Sequence, residues 1–368
     1  MLINKVIDNK CINIGNYVLK NGNNSKYYFD MRNLISNPSL TKDIGDMLYS
    51  IMGDFDIICG IPLGALPIAS YISTQYNKPL IYIRDKIKNY GTMKEIEGNY
   101  SINDKCVILD DVMTSGKSLE SAYQTLLDKV IITKCVVILD RQQKEDLKIN
   151  VPIVSLINKT DIVKQKLIEI QEEKKTKLCF SADITDIVKL KKIINDIGKY
   201  IVICKIHYDI IPHNIKEEFK NELINLSIKH NFLIMEDRKF NDISHIVKMQ
   251  YRDFKSWVDL VTVHALVTKE VIESLSGAVI VANMSNNNYD CTEKALELSK
   301  YKDNVVGFVT QRRISNELIN MTPGISYCQT KIDDQNHRRK DEVDTDVVIV
   351  GRGIYNSENL SEDIKNYI

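Results

Sequence analysis

The sequence predicts an α/β protein with two domains, an open parallel sheet with helices on both faces and then a compact (β/α)8 barrel. Short apolar runs alternate with amphipathic stretches along nearly the whole chain, which is the pattern of alternating strands and helices. The chain has 368 residues, too many for one typical domain and enough for two. Eight strand-like runs follow residue 176, and eight βα units predict a closed barrel.

Residues 1–160 are predicted to form the first domain. Apolar segments at 17–20 and 26–31 flank an Asn-Gly turn and are expected to pair as a hairpin. The remaining strands are expected at 55–59, 80–83, 105–110, 134–139 and 151–156, and the helices at 41–52, 64–76 and 117–129.

A connecting helix is predicted at residues 161–176, because Ile162, Leu167 and Ile170 fall on one face at helical spacing. The segment is not rich in Gly or Ser, so it is expected to be rigid. Residues 177–368 then form the barrel, which is just short of the usual minimum of about 200 residues, so some helices or loops must be minimal. Its strands are expected at 177–182, 200–206, 231–236, 258–263, 277–283, 304–309, 318–322 and 345–350.

Composition excludes two classes of partner. The 49 basic and 49 acidic residues leave no net charge, so neither nucleic acid nor an anionic membrane surface is expected as a partner. The eight cysteines show no C-x-x-C spacing, which argues against a structural zinc site and fits reduced thiols in the cytoplasm. No secretory pattern follows Met1.

One candidate site lies where an apolar strand ends in two acids and a loop of small residues, Val107–Ser118. The carboxyl ends of strands are where open α/β sheets bind ligands, and two adjacent acids suit two ribose hydroxyls. The loop's hydroxyls and backbone N–H groups can surround a phosphate at the start of a helix. The alternative is a capped strand-to-helix turn with solvated acids. The expected ligand residues are Asp110, Asp111, Thr114, Ser115, Gly116, Lys117 and Ser118.

This segment resembles the signature of phosphoribosyltransferases, which bind phosphoribosyl pyrophosphate. Residues 59–67 look like the pyrophosphate-binding turn of orotate phosphoribosyltransferases, and the hairpin looks like their orotate-binding hairpin. The resemblance makes Lys20 and Lys26 expected contacts of orotate or the phosphoribosyl group. It implies displacement of pyrophosphate by a ring nitrogen of orotate, with Mg²⁺ carried by the substrate and no direct protein ligand.

Residues 84–92 look like the mobile catalytic loop of the same enzymes. The resemblance implies that Arg84 and Lys88 contact pyrophosphate, and Tyr90 stands where members carry His or Tyr. Asp85 departs from the pattern, since Lys is usual there. A phosphoribosyltransferase-like module that only senses a ligand is therefore an alternative for this half.

A second candidate site places charges at the end of another apolar strand, Leu233–Ile243. Asp237 and Lys239 are two residues apart, so both are expected to face the barrel mouth. Asp242 follows at the start of the next helix, and Lys205 comes from the preceding strand. A structural ion-pair cluster is the alternative, but buried charges are expensive and are more often functional.

These residues resemble the motif of orotidine 5′-monophosphate decarboxylases. The resemblance implies cofactor-free decarboxylation, with Lys239 as the proton donor to C6, Asp237 beside the substrate carboxylate, and Lys205 and Asp242 holding the array. It also implies a homodimer through the barrel, because the Asp matching Asp242 reaches the partner subunit's site in that family. The substrate-binding residues implied are Asp183, Ser285, Gln335 and Arg352.

In this order, the two resemblances are those of the bifunctional uridine 5′-monophosphate synthase family of pyrimidine biosynthesis. Three features depart from the decarboxylase pattern: a short loop after Ser285, His337 in place of a Tyr, and Ile246 in place of a Thr. A metal-dependent sugar-phosphate decarboxylase of the same barrel superfamily is the alternative for this half. The histidines, including His207 and His264, lack metal-ligand spacing and are predicted to be core or surface residues.

Overall fold

The computed structural model describes residues 2–18, 24–84, 94–143, 146–285, 289–327 and 337–368. The chain divides into two compact units, one of residues 1–13 and 28–159 and the other of residues 14–27 and 160–368. The elements up to residue 158 are α1 (Leu2–Asp8), β1 (Ile12–Val18), β2 (Asn24–Phe29), α2 (Pro38–Met52), β3 (Ile57–Gly60), α3 (Leu66–Tyr76), β4 (Leu80–Ile83), β5 (Ile96–Glu97), β6 (Lys105–Met113), α4 (Lys117–Leu126), β7 (Ile131–Asp140) and β8 (Ile153–Asn158).

The first unit is built on a six-stranded sheet in the order β5-β4-β3-β6-β7-β8. Its pairs are parallel except β4 with the edge strand β5. The strand β5 and the helix α1 are the elements that the sequence pattern missed. Because the strand order reverses between β3 and β6, a ligand crevice is expected outside the carboxyl ends of these two strands.

The helix α2 shows how the sequence sets such elements. The side chain of Asn37 accepts a hydrogen bond from the backbone N–H of Leu40, and Pro38 occupies the first turn, so the helix begins there. Leu40, Ile44 and Leu48 repeat every four residues and form its buried face.

The second unit is a closed barrel of eight parallel strands, which confirms the predicted fold class. Its elements are α5 (Lys159–Lys174), β9 (Leu178–Ser181), α6 (Ile187–Ile197), β10 (Ile203–Ile206), α7 (Lys216–His230), β11 (Leu233–Phe240), α8 (Ser244–Tyr251), β12 (Leu260–His264), α9 (Lys269–Glu273), β13 (Ala278–Val281), α10 (Thr292–Leu298), β14 (Val305–Val309), β15 (Ile319–Thr322), β16 (Val347–Val350), α11 (Arg352–Tyr355) and α12 (Leu360–Asp363). Short 3₁₀ helices lie at Met31–Ser36, Gly198–Tyr200, Tyr208–Ile210, His213–Ile215, Lys340–Glu342 and Ile364–Asn366.

The barrel is compact because several connections are minimal. The helix α9 has five residues, α11 and α12 have four each, and residues 310–318 join β14 to β15 without a helix. Along each strand, side chains alternate between the barrel interior and the outer layer under the helices, as for Cys179 and Phe180 in β9. None of the described helices combines the length and apolar character needed to cross a membrane.

The predicted connecting helix, α5, closes the amino-terminal end of the barrel. Leu167 and Ile170 are fully buried in the same apolar cluster as the barrel interior. The ammonium of Lys174 donates to the carbonyls of Gly198 and Ile201, at 2.9 and 2.7 Å, just before β10 begins. The helix therefore contributes to the barrel core as well as linking two segments of chain.

Residues 14–27, which include most of β1 and β2, also belong to the barrel unit, on the same amino-terminal end. The Lys26 ammonium lies 2.7 Å from Asp259 Oδ2 and donates to the carbonyl of Phe232 at 3.1 Å. The Tyr27 hydroxyl donates to Asp259 Oδ1 at 2.6 Å. Since Lys26 is 3% exposed and held by barrel residues, the prediction that it contacts orotate or the phosphoribosyl group is wrong.

Candidate active sites

The first candidate site lies at the carboxyl end of β6, where Asp110 is buried and Asp111 half-buried. The backbone N–H of Asp111 donates to Asp110 Oδ1 at 2.9 Å. Gly116 caps the start of α4 with a φ of 85°, a left-handed conformation that glycine adopts at little cost. The chain can therefore turn sharply from the two acids into the helix.

The turn at residues 59–67 lies directly against this acidic pair. A Cβ placed on Gly64 would lie 1.9 Å from Asp111 Oδ2, so only glycine permits this approach. Burial, and then the neighbouring Asp111, raises the pKa of Asp110 to about 8. The structure thus brings together two segments that are far apart in sequence, as expected from the resemblance.

The structure describes some of the other residues predicted for this site, and the rest lie outside the described ranges. Ser115 is half-buried, while Thr114, Lys117 and Ser118 are exposed around the start of α4. Arg84 follows β4 and forms an ion pair with Glu97 of β5. The predicted contacts Lys20, Lys88 and Tyr90, and the unusual Asp85, lie outside the described residues.

Arg141 is a candidate that sequence reasoning missed. It follows β7, its backbone N–H donates to the carbonyl of Met113, and its guanidinium lies 5.2 Å from the ring centroid of Phe29. Its Nε is buried and has no hydrogen-bond partner among the described residues. A buried, incompletely paired cation one strand away from Asp110 suits an anionic ligand. The sequence signal was a lone Arg directly after an apolar strand.

The second candidate site is an ion cluster at the carboxyl ends of β10 and β11. Asp237 Oδ2 lies 2.6 Å from Lys205 Nζ and 2.8 Å from Lys239 Nζ, so one carboxylate is held between two cations. Lys205 Nζ lies 3.5 Å from Asp183 Oδ1, which follows β9. The structure therefore brings together three of the four residues predicted to be catalytic in the barrel; Lys88, the catalytic residue predicted for the other site, lies outside the described residues.

The backbone of β11 is distorted to achieve this. Pairing with β12 shifts register between Glu236 and Phe240, and Lys239 has a φ of 50°. A non-glycine residue in the left-handed region costs about 1–2 kcal/mol. Thr262 compensates in part, because its hydroxyl accepts from the Lys239 N–H and donates to Asp237 Oδ1, both at 2.8 Å. Such strain is commonly found at functional sites.

Electrostatics keep the cluster charged. Burial alone would raise the pKa of Asp237, but Lys205 and Lys239 outweigh it and hold that pKa well below its usual range. Burial alone would lower the pKa of Lys205, but Asp237 and Asp183 outweigh it and raise that pKa. Lys205 and Asp237 therefore both remain charged although both are buried.

A cavity of about 890 Å³ opens above the cluster. Its lining includes Asp183, Ser285 and Arg352, three of the four substrate contacts that the resemblance implied, and also His337. Gln335, the fourth contact, lies outside the described residues. Arg352 begins α11 directly after β16, in the part of a barrel where phosphate groups commonly bind.

Two residues differ from the expectations. Asp242 does not join the cluster within one chain: it is exposed, and its Oδ1 accepts from the N–H of Ile243. His207, predicted to be a core or surface residue, lies in the cavity with Nε2 3.4 Å from Asp237 Oδ2 and 3.5 Å from Asp183 Oδ1. Its place two residues after Lys205 on β10 was the available signal.

Comparison with known proteins matches a family to each half of the chain. Residues 176–367 match the orotidine 5′-phosphate decarboxylase / HUMPS family, and residues 30–172 match the phosphoribosyl transferase domain. The chain belongs to the orotidine 5′-phosphate decarboxylase / HUMPS family. The match to this decarboxylase family spans the whole barrel, and the second match spans the six-stranded sheet and α5.

Relatives of this decarboxylase-family chain match either its whole length or one of its two halves. The uridine 5′-monophosphate synthase of Bos taurus is 29% identical, across 100% of this chain and 95% of that protein. The orotidine 5′-phosphate decarboxylase of Pichia kudriavzevii is 35% identical, across 53% of this chain and 86% of that protein. The orotate phosphoribosyltransferase of Methanocaldococcus jannaschii is 37% identical, across 42% of this chain and 92% of that protein. The predicted resemblance to the bifunctional synthase family is confirmed.

Proposed function

We propose that this chain makes orotidine 5′-monophosphate from orotate and phosphoribosyl pyrophosphate at the β6 site and decarboxylates it to UMP at the barrel site. The observation that carries the second step is the Asp237 carboxylate held between the cations of Lys205 and Lys239 beneath a cavity. The first step rests on the acidic pair Asp110 and Asp111 in the crevice of the six-stranded sheet. A cytoplasmic location fits the seven free cysteines of the described chain.

Decarboxylation follows from the charges. Loss of CO₂ from C6 leaves a vinyl carbanion without an electron sink, so barrier lowering near the upper end of ~8–23 kcal/mol is required. Asp237, whose low pKa keeps it ionised, would lie beside the substrate carboxylate, and one such like-charge pair at ~4 Å is worth ~4 kcal/mol at an effective dielectric of ~20. Lys239 then stabilises the developing carbanion and protonates C6.

The remaining groups bind and orient the substrate. Arg352 would hold the phosphate, Asp183 a ribose hydroxyl and Ser285 the pyrimidine, as the resemblance implies; all three line the cavity. Binding energy from the remote phosphate would favour turnover as well as affinity. Lys205, charged and almost fully buried, holds Asp237 and Asp183 in place.

The active unit we propose is a homodimer. Asp242 is exposed on the loop after β11 and does not reach the cluster of its own chain. As the resemblance implies, Asp242 would enter the site of a second copy and complete the alternating Lys-Asp-Lys-Asp set. In a two-fold dimer each site would then use residues from both chains.

In the first step, the chain's own residues bind and orient phosphoribosyl pyrophosphate. Asp110, protonated near neutral pH by its raised pKa, can donate to one ribose hydroxyl, and Asp111 can accept from the other. Backbone N–H groups at the start of α4 would hold the phosphate. Carboxylate and hydroxyl oxygens, as found here, are ligands that suit Mg²⁺. Mg²⁺ carried by the substrate would neutralise charge on the leaving pyrophosphate. Arg84 and Lys88 would close over that group.

One assay tests both steps. Purified protein is incubated with orotate, phosphoribosyl pyrophosphate and Mg²⁺, and the products are separated by chromatography. We expect UMP as the end product, and chelation of the metal should stop formation of orotidine 5′-monophosphate but not its decarboxylation. Loss of decarboxylation on chelation would instead support the metal-dependent sugar-phosphate decarboxylase alternative.

A further inference from the structure

The loop after β13 is closed at its base. The N–H of Cys291 donates to the carbonyl of Ala282 at 2.8 Å, and Asn283 pairs with Asp290 in an antiparallel bridge. Asn283 Oδ1 also accepts from the hydroxyl of Thr310 at 2.9 Å, which ties the loop to the end of β14. Both ends of this short loop are therefore fixed, and its first limb carries Ser285 into the cavity.

The second limb is held by a tyrosine. The hydroxyl of Tyr289 lies 3.0 Å from Nδ1 of His264, and the two rings meet edge to face with centroids 5.3 Å apart. Tyr289 packs on the apolar layer of the barrel interior, as does Met284 of the first limb. His264 ends β12, the strand whose Thr262 positions Lys239 and Asp237.

The surroundings of this pair favour the uncharged form of both rings. Burial, and then Lys239, lowers the pKa of His264, so the imidazole is neutral at neutral pH. Burial, and then Cys291, raises the pKa of Tyr289 to about 12, so the phenol is protonated. The contact therefore joins a neutral imidazole and a protonated phenol, and either ring can be the donor.

We propose that Tyr289, held by His264, is a positioning residue that fixes Met284 and Ser285 at the rim of the cavity and so sets the affinity for the pyrimidine ring. The inference rests on the proposed function, because it assigns the pyrimidine to this side of the cavity. Tyr289 acts through the neighbouring bridge of Asp290 with Asn283 and does not itself line the cavity. Its loss should weaken substrate binding while leaving the cluster of Lys205, Asp237 and Lys239 intact.

The test is the steady-state kinetics of Tyr289→Phe with orotidine 5′-monophosphate. Removing one such hydrogen bond should raise KM about five- to tenfold and change kcat less than about twofold. His264→Ala should behave alike, and His264→Asn, whose amide oxygen lies near the place of Nδ1, should recover part of the affinity. Tyr251→Phe is the matched control, since its hydroxyl bonds Ser276 outside the cavity; it should leave KM unchanged.

Two results would overturn the proposal. One is a wild-type KM in Tyr289→Phe; the other is an equal fall in kcat and thermal midpoint without a change in KM, which a purely structural role would give. Binding of UMP, measured by calorimetry, tests the same positioning without turnover. A failure of the proposed function is distinguishable, because the wild-type protein would then neither decarboxylate orotidine 5′-monophosphate nor bind UMP.

Discussion

The barrel buries charged residues at both of its ends. Both groups pair lysine with aspartate, but they differ in their hydrogen-bond partners and in the size of the cavity beside them. At the amino-terminal end, Asp259 accepts from Lys26, Tyr27 and the backbone N–H of Ile234, and the adjoining cavity measures only about 30 Å³. At the carboxyl end, Asp237 lies between two cations beneath a cavity of about 890 Å³.

The difference separates a structural ion pair from a catalytic one. The Lys26–Asp259 pair has its hydrogen bonds satisfied by the surrounding chain and leaves no room for a ligand, so its charges stabilise packing. At the other end, a carboxylate shared by two lysines lies beside a strained backbone at Lys239 and beneath open space. A buried charge alone therefore does not identify a binding site. A buried ion cluster that opens onto a cavity large enough for a ligand does identify one.

The largest effect is expected from Lys239→Ala. Without the proton donor, decarboxylation should fall at least about 10³-fold, while formation of orotidine 5′-monophosphate continues. The two products are followed separately by chromatography. Lys192→Ala, an exposed lysine of the same barrel, is the control and should keep both activities. Normal UMP formation by Lys239→Ala would show that the proton comes from elsewhere.

The shared site should be visible in mixtures of inactive variants. If Asp242 completes the partner's cluster, Lys239→Ala and Asp242→Ala subunits, each nearly inactive, should regain about a quarter of the wild-type decarboxylation when refolded together, because half of the dimers then hold one intact site. The rate of the mixture is compared with that of each variant alone. No recovery, despite demonstrated subunit exchange, would contradict a site built from two chains.

Lys26→Met tests the other end of the barrel. Removing the cation leaves Asp259 buried without its partner, which should destabilise the folded chain by about 3–5 kcal/mol in denaturant unfolding. The double variant Lys26→Met with Asp259→Asn should recover much of the lost free energy of unfolding, because the buried charge of Asp259 is then gone. The KM for orotate should not change. A raised KM for orotate with unaltered stability would restore the role in ligand binding that the structure contradicts.

A pH-dependent effect is expected at Asp110, a buried carboxyl for which the described residues supply no ion-pair partner. Its pKa is raised to about 8 in the folded chain and is about 3.9 when unfolded. Between these values the folded state holds a proton that the unfolded state has lost, so stability should fall as pH rises through this window. Asp110→Asn should remove this slope, measured by denaturant unfolding at pH 5 and pH 8, and the double variant Asp110→Asn with Asp111→Asn should remove only the first reaction. An unchanged slope would assign it to other groups.

The sequence by itself determined the local elements and the two motifs. Apolar periodicity placed the eight barrel strands and the parallel strands of the first sheet, because side-chain burial has a different period in strands and helices. Both acidic motifs were visible because their residues are close in sequence, and Lys205 and Asp237 meet at 2.6 Å on adjacent strands. The family resemblance added roles that spacing alone does not specify.

Only the tertiary structure decided which side chains meet across the chain. Lys26 sits on a hairpin whose pattern resembles a ligand-binding one, yet a partner 233 positions away, Asp259, captures its ammonium. Arg141 and His207 became candidates only when the folded chain placed them beside the two sites. Asp242 lies apart from the cluster, exposed two residues after the end of β11. The apolar periodicity of the sequence indicates whether a residue is buried. Long-range packing decides which residues it contacts.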